Sequence, residues 1–199
     1  MKKIITVSRQ FGSGGRSIAK QVATALGYDY YDSELAQKVA DETGFDPSYV
    51  ADAGEYAPGK SILSYAFGSA TPHGSGNHMN ASDYLWATQS RIINELAEKG
   101  NCVIVGRCAD FILRDRDDCL NVFIHADKDY KAKRIVELYG VRDKSPAKRL
   151  EEKDRKRAAN YKYFTGREWG NTENYHISLN SGKLGSELCV RLIEEIATE

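Results

Sequence analysis

The stretch IITVSRQFGSGGRSIAKQVATALG, residues 4–27, decides the fold. It opens on Ile4, Ile5, Thr6 and Val7 and runs into glycines, the pattern of a short buried strand that ends in a turn. Beyond the glycines, Ile18, Val22 and Leu26 fall four apart, as on one face of an amphipathic helix. A strand, a glycine loop and a helix in this order aim backbone N–H groups and the positive end of a helix dipole at one point, which makes an anion site. The phosphate-loop pattern G-x-x-x-x-G-K-[ST] is matched at Gly15 and Ser17, with Gln10 at the place of the first glycine and Arg16 at that of the lysine. Gly12, Ser13, Gly14, Gly15, Arg16 and Ser17 are therefore the candidate phosphate cradle. A guanidinium can take two phosphate oxygens at once, and the Ser17 hydroxyl can reach Mg²⁺. The alternative is a tight glycine turn that opens a surface helix. Against it, a cation in a first helical turn opposes the dipole unless an anion sits there.

Outward from this stretch, short apolar runs at 101–106, 121–125 and 175–179 read as further strands. Runs without alternation suit strands buried on both faces, and so a parallel sheet. Between them lie helical stripes: Leu85, Ile92, Ile93 and Leu96, ending at Gly100, and Leu184, Leu188, Leu192 and Ile196. Strands alternating with helices imply right-handed crossovers and a doubly wound α/β fold. Two regions depart from the alternation. Residues 54–82 are rich in Gly, Ser, Ala and Pro and read as an inserted loop or acceptor-side subdomain. Residues 144–160 are densely charged, as in a solvated helix with i,i+4 pairs such as Glu151 with Arg155.

Composition narrows the classes. The 199 residues are 41% hydrophobic, enough for one compact domain with its own core. Lys+Arg and Asp+Glu are 28 each, so no basic excess exists to neutralise a nucleic-acid backbone. Cys102, Cys108, Cys119 and Cys189 form no C-x-x-C pair and have no histidine at zinc-site spacing, which reads as reduced thiols in a cytoplasmic protein. No apolar run approaches a membrane span, and the N-terminus reads as a strand and not a signal peptide. The four histidines, His73, His78, His125 and His176, have no Ser or Cys partner at catalytic-triad spacing. Trp86 and Trp169 read as packing residues.

With the loop, the YYDSEL segment at 30–35, the VGRCADFI segment at 105–112 and the EKDRKRAANYKYF segment in the charged region, the chain resembles the nucleoside monophosphate kinases, and among them the cytidylate kinase-like family. In that branch the glycine loop ends in Gly-Gly-Arg, so Arg16 looks like a family variant of the cradle. The resemblance implies a single P-loop kinase domain over 1–199, with a five-stranded parallel sheet in the order 2-3-1-4-5. It also implies an acceptor-binding region after the second strand and a mobile, arginine-bearing lid, here 144–170. It implies ATP as phosphoryl donor, Mg²⁺ as cofactor and a nucleoside monophosphate, first CMP or dCMP, as acceptor.

Residue by residue, Asp32 stands where the family has an acceptor-side Asp-Ser pair, and a helix N-cap at Asp32 or Ser33 remains an equal reading. Arg107 matches the arginine of a Gly-Arg-Asp motif at the acceptor site; a plain surface ion pair is its alternative. Cys108 replaces the motif's carboxylate, and the nearest one is Asp110. The third strand lacks the carboxylate that many phosphate-loop enzymes use for magnesium, so the metal would rest on Ser17 and the nucleotide phosphates, with Asp32 a further candidate. Asp154, Arg155 and Arg157 resemble a D-R-x-R lid pattern. Arg155 is the first choice to reach the transferred phosphoryl group, with Arg157 beside it and Arg149 and Arg134 behind. Asn160, Tyr161, Tyr163 and Phe164 read as lid packing. Two other readings stay open: a kinase of a non-nucleotide small molecule, and a nucleotide-binding regulator with little turnover.

Overall fold

In the computed structural model, which describes residues 1–55 and 80–199, five parallel strands form one sheet in the order β2-β3-β1-β4-β5. The strands are β1 (Ile4–Arg9), β2 (Asp29–Tyr31), β3 (Cys102–Val105), β4 (Cys119–His125) and β5 (Ile177–Asn180). The central β1 pairs Ile4 with Cys102 on one side and with Cys119 on the other, in parallel register. All six β1 residues are buried, as a strand covered on both faces requires. Of the expected runs, 121–125 starts two residues earlier in the structure and 175–179 is shifted toward its C-terminal end.

Alternation along each strand divides the core in two. Ile4, Cys102, Ile104 and Cys119 face a layer made by α2 (Ser33–Thr43), α3 (Pro47–Ala53) and α4 (Ala81–Lys99), through Leu35, Val39, Val50 and Ile93. Ile5, Val7, Val103, Leu120, Val122 and Ile124 face α1 (Gly15–Leu26) and α9 (Ser186–Thr198). The stripe expected at Leu184, Leu188, Leu192 and Ile196 is corrected by one position. The fully enclosed face of α9 is Cys189, Ile193 and Ala197, and Leu184 is half exposed on a separate short helix, α8 (Ser181–Leu184). Gly185, at φ +78°, breaks the run between them.

Between β3 and β5 lie α5 (Ala109–Ile112), α6 (Lys128–Tyr139) and α7 (Pro146–Thr165). The charged stretch is helix α7: Pro146 opens it, and Ser145 Oγ accepts from Lys148 N to cap it. Of the 54–82 region, Gly54, Glu55 and 80–82 are described; Asn80 caps α4 by accepting from Asp83 N. The remainder of that expected insertion lies outside the described residues. Among the described residues, no helix is long and apolar enough to cross a membrane.

Candidate active site

The loop between β1 and α1 folds as the glycines predict. Gly12 has φ +81°, and a Cβ there would lie 2.9 Å from Ile135 Cγ2 and 3.0 Å from the Lys131 carbonyl, both on α6. A Cβ on Gly15 would lie 2.5 Å from Arg9 Cβ. Only glycine satisfies either close approach. Ser13 is fully buried and its hydroxyl donates inward, to Gln10 O at 2.9 Å and Ile124 O at 3.1 Å, while Ser181 Oγ donates to Ser13 O at 2.5 Å. Ser13 thus shapes the loop from below. The first N–H groups of α1 have no intrahelical acceptor and form its open upper side.

Arg16 turns away from this loop. Its Nε lies 2.9 Å from Asp32 Oδ2 and its Nη2 3.2 Å from Oδ1, a two-pronged pair at the C-terminal end of β2. Asp32 also occupies the N-cap position of α2, but its side chain makes no cap hydrogen bond. Two other cations stand at the loop. Arg134 donates to Ser17 Oγ at 3.3 Å, with its guanidinium within 3.6 Å of where a Cβ on Gly14 would be. Lys131, buried on α6, donates to Gln10 Oε1 at 2.7 Å and lies 3.6 Å from Asp154.

A second cationic group lies at the strand ends. Arg9, the last residue of β1, is 5% exposed and donates to Glu55. Arg157 Nη2 lies 3.2 Å from Glu55 Oε2, and its Nη1 donates to Arg9 O at 3.1 Å. Arg107 is buried after β3, donates to Val50 O at 2.9 Å, and has its own carbonyl held by Gln89. Gly106, Arg107 and Cys108 are consecutive left-handed residues at φ +71°, +59° and +54°. For Arg107 and Cys108 that conformation is strained, and the surrounding contacts hold it. Burial would push the Glu55 carboxyl up, but Arg9, Arg157 and Arg107 hold it well below the usual carboxylate range. Burial lowers Arg107 and Arg157. A cavity of about 450 Å³ opens here, with Phe11, Arg16, Asp32, Glu55, Arg107 and Arg157 in its wall.

Most expected residues thus meet in one place, and three do not. Arg155 is exposed, whereas Arg157 is turned inward; on a helix, residues two apart point about 200° apart. Asp110 is 2% exposed, accepts from Tyr161 Oη at 2.6 Å and from Ser8 Oγ at 3.3 Å, and is not in the cavity wall. Its burial raises the carboxyl to about 6. Arg149, partly exposed, donates to Gly140 O at the surface. Asp154 ties the lid-like helix to the loop by accepting from Phe11 N at 2.7 Å. Phe164 stacks on Trp86 with ring centroids 4.5 Å apart, and Trp169 packs edge-on to Phe123. All four cysteines are free and buried. Among the described residues, no cluster of three His, Cys, Asp or Glu could hold a metal ion.

The sequence reading missed Arg9, Glu55 and Lys131. A charged residue at a strand end reads as the exit to solvent, and Glu55 sits where composition suggests a loop. The one available signal for Arg9 was its place directly before the glycine loop.

A parallel sheet in this order, with a glycine loop after its central strand, defines a P-loop kinase-type fold. The chain belongs to the cytidylate kinase-like family, whose model matches residues 4–183. No functionally curated protein matches it. Its fold is shared with the crystal structure of an uncharacterized protein from Eubacterium ventriosum, at 26% identity and TM-score 0.74 over 100% of this chain and 99% of that one. It is shared more distantly with a shikimate kinase from Acinetobacter baumannii in complex with shikimate, at 13% identity and TM-score 0.56 over 100% and 94% of the two chains. A gluconokinase from Sinorhizobium meliloti is similar at 16% identity and TM-score 0.53 over 100% and 96%.

Proposed function

We propose that the protein is an ATP-dependent kinase that transfers the γ-phosphoryl group to a nucleoside monophosphate, CMP or dCMP first. The observation that carries this reading is a cavity with Arg16, Arg107 and Arg157 in its wall, opening beside the glycine loop at the C-terminal ends of the strands, where open α/β sheets bind ligands. Donor phosphates would lie on Gly12–Ser17, with Arg134 and Lys131 beside them, and the acceptor phosphate near Arg107 and Arg157. An acceptor phosphate is already an oxyanion, so a strong general base is unnecessary; the protein must hold two anions in line and offset their repulsion. Guanidinium groups fixed in a partly dry site do this without reorganising during the reaction. The exposed Ser17 hydroxyl in the first turn of α1 fits one ligand position of Mg²⁺, and the nucleotide phosphates would supply others. When bound, the ion neutralises charge on the phosphate oxygens.

A non-nucleotide acceptor is the second reading. Cys108 is buried in a left-handed turn and the Asp110 carboxylate is engaged by Ser8 and Tyr161, so, among the described residues, the carboxylate of the Gly-Arg-Asp motif implied by the family resemblance is missing from the cavity wall, though Asp32 is in it. Product formation with Mg-ATP and each common ribo- and deoxyribonucleoside monophosphate separates the two. Rapid phosphorylation of CMP or dCMP, abolished by Arg107→Ala, is expected. ATP binding without turnover of any nucleotide would sink the nucleotide reading and send the search to small hydroxylated acids or to a regulatory role.

A further inference from the structure

Four guanidinium groups, those of Arg9, Arg16, Arg107 and Arg157, face three carboxylates among the described residues, Asp32, Glu55 and Asp154, and Asp154 is shared with the ammonium of Lys131. Asp52 and Lys153, also in the cavity wall, have opposite charges. The donors exceed the acceptors as well: Arg9 Nε and Arg157 Nε are buried without a hydrogen-bond partner among the described residues, on side chains 5% and 11% exposed. A buried N–H left without an acceptor is unfavourable, and two of them on converging arginines mark a place built for more negative charge than the chain itself supplies. Asp32 is turned toward Arg16, so the anion at the centre of the cluster is Glu55. Its backbone is set there by Gly54, where the Arg107 guanidinium occupies the space a Cβ would need.

We propose that Glu55 is a placeholder for the acceptor phosphate: its carboxylate holds, in the free protein, the place among Arg9, Arg107 and Arg157 that the phosphate of the acceptor takes. The inference rests on the cavity being the acceptor site. A ligand's phosphate entering the cluster must displace a carboxylate already paired there, so an anion that brings nothing else binds weakly. A phosphate monoester with a polar body gains further contacts along Ser33, Gln37 and Ser48 in the same wall and offsets the displacement. Displacing Glu55 costs both ligands alike, so it lowers both affinities by the same factor and leaves free phosphate, which lacks those further contacts, too weak to occupy the site.

The test is calorimetric titration of the full chain with inorganic phosphate and with CMP, for the wild type and Glu55→Gln. The variant keeps the shape and an acceptor oxygen but removes the competing charge. Phosphate and CMP are both expected to bind about tenfold tighter in the variant. Phosphate affinity that is unchanged, weaker or unmeasurable in the variant would overturn the proposal and leave Glu55 as an anchor for the arginines. Should Glu55→Gln not fold, Glu55→Asp withdraws the carboxylate by one methylene and should tighten phosphate to a lesser degree; no tightening overturns the proposal equally. If no nucleotide is turned over yet phosphate binding tightens, the acceptor reading fails and the competition stands. If CMP is turned over and phosphate does not tighten, the inference alone fails.

Discussion

At the scale of single residues, the telling feature is that the loop's cation is turned to Asp32, away from the loop. The Arg16 fork matches the two oxygens of Asp32, a geometry that lysine could not reproduce. The cation nearest the cradle's outer face is instead Arg134, bonded to Ser17. Arg16→Ala is therefore expected to raise the acceptor KM roughly tenfold with little effect on the ATP KM, and Arg134→Ala to do the reverse. An ATP KM raised by Arg16→Ala alone would return that cation to the cradle. Asp110 offers a pH-dependent counterpart. Enclosed with Ser8 and Tyr161, with Tyr175, Arg167 and the thiols of Cys108 and Cys119 as further charged or titratable neighbours, its carboxyl is raised to about 6 by burial. Because the folded value lies above the unfolded one, its relative stabilisation is complete below about pH 4 and is lost as pH rises through about 6. Two pKa units correspond to about 3 kcal/mol. Asp110→Asn should raise the melting temperature at pH 7.5 and bring no gain near pH 4.5; equal gains at both would exclude ionisation as the cause. The shape of the loop was legible in the sequence because glycine spacing dictates backbone shape. The direction of Arg16 was not, since a long side chain goes where its counter-charge lies, and Asp32 is brought near only by the sheet.

At the scale of elements, α7 carries the site's remaining contacts, and its face was the hardest part to read. Its stretch is so rich in charge that no apolar stripe orients it. Only Leu150, Asn160 and Tyr161 are buried along its 20 residues, and the pairs Asp154 with Phe11 N, Arg157 with Arg9 O and Glu55, and Asn160 with Gly54 O do the orienting. Each of these partners is distant in sequence, and without them the sequence reading put Arg155 first and Arg157 beside it. The fold places Arg157 inward. Arg157→Ala should lower kcat about a hundredfold, the magnitude for removing a fixed donor to developing charge. Arg155→Ala should leave kcat within about threefold, as for an exposed side chain. Single-turnover rates for both variants decide it, and the opposite ranking would mean that α7 rotates when substrates bind. The α9 stripe was misread for a related reason. Leucines four apart suggested a face, but Gly185 separates Leu184 from the helix, and the enclosed positions include the small residues Cys189 and Ala197.

At the scale of the whole molecule, the sheet separates two jobs and its C-terminal edge joins them. One layer, α1 and α9, backs the cradle; the other, α2, α3 and α4, contributes Asp32 at its entry, the Val50 carbonyl that holds Arg107, and the chain leading to Glu55. Strand–helix alternation made a doubly wound sheet with right-handed crossovers legible, while the order 2-3-1-4-5 came from the resemblance to the cytidylate kinase-like family. The joining contacts were not legible, because they run between β1, the end of α3 and α7, which are remote in sequence. Two separately supported half-sites should respond to ligands separately. A ligand held at 100 times its Kd stabilises the folded state by about 2.7 kcal/mol, which for a chain of this length raises the melting temperature by about 5–10 °C. A non-hydrolysable ATP analogue and CMP should each give such a shift. Arg107→Ala should abolish the CMP shift and leave that of the ATP analogue within about 2 °C of wild type, because Arg107 is anchored in the α3 and α4 layer through Val50 and Gln89. Loss of both shifts together would mean that the acceptor layer holds the cradle in shape, and the division of the site along the sheet would be wrong.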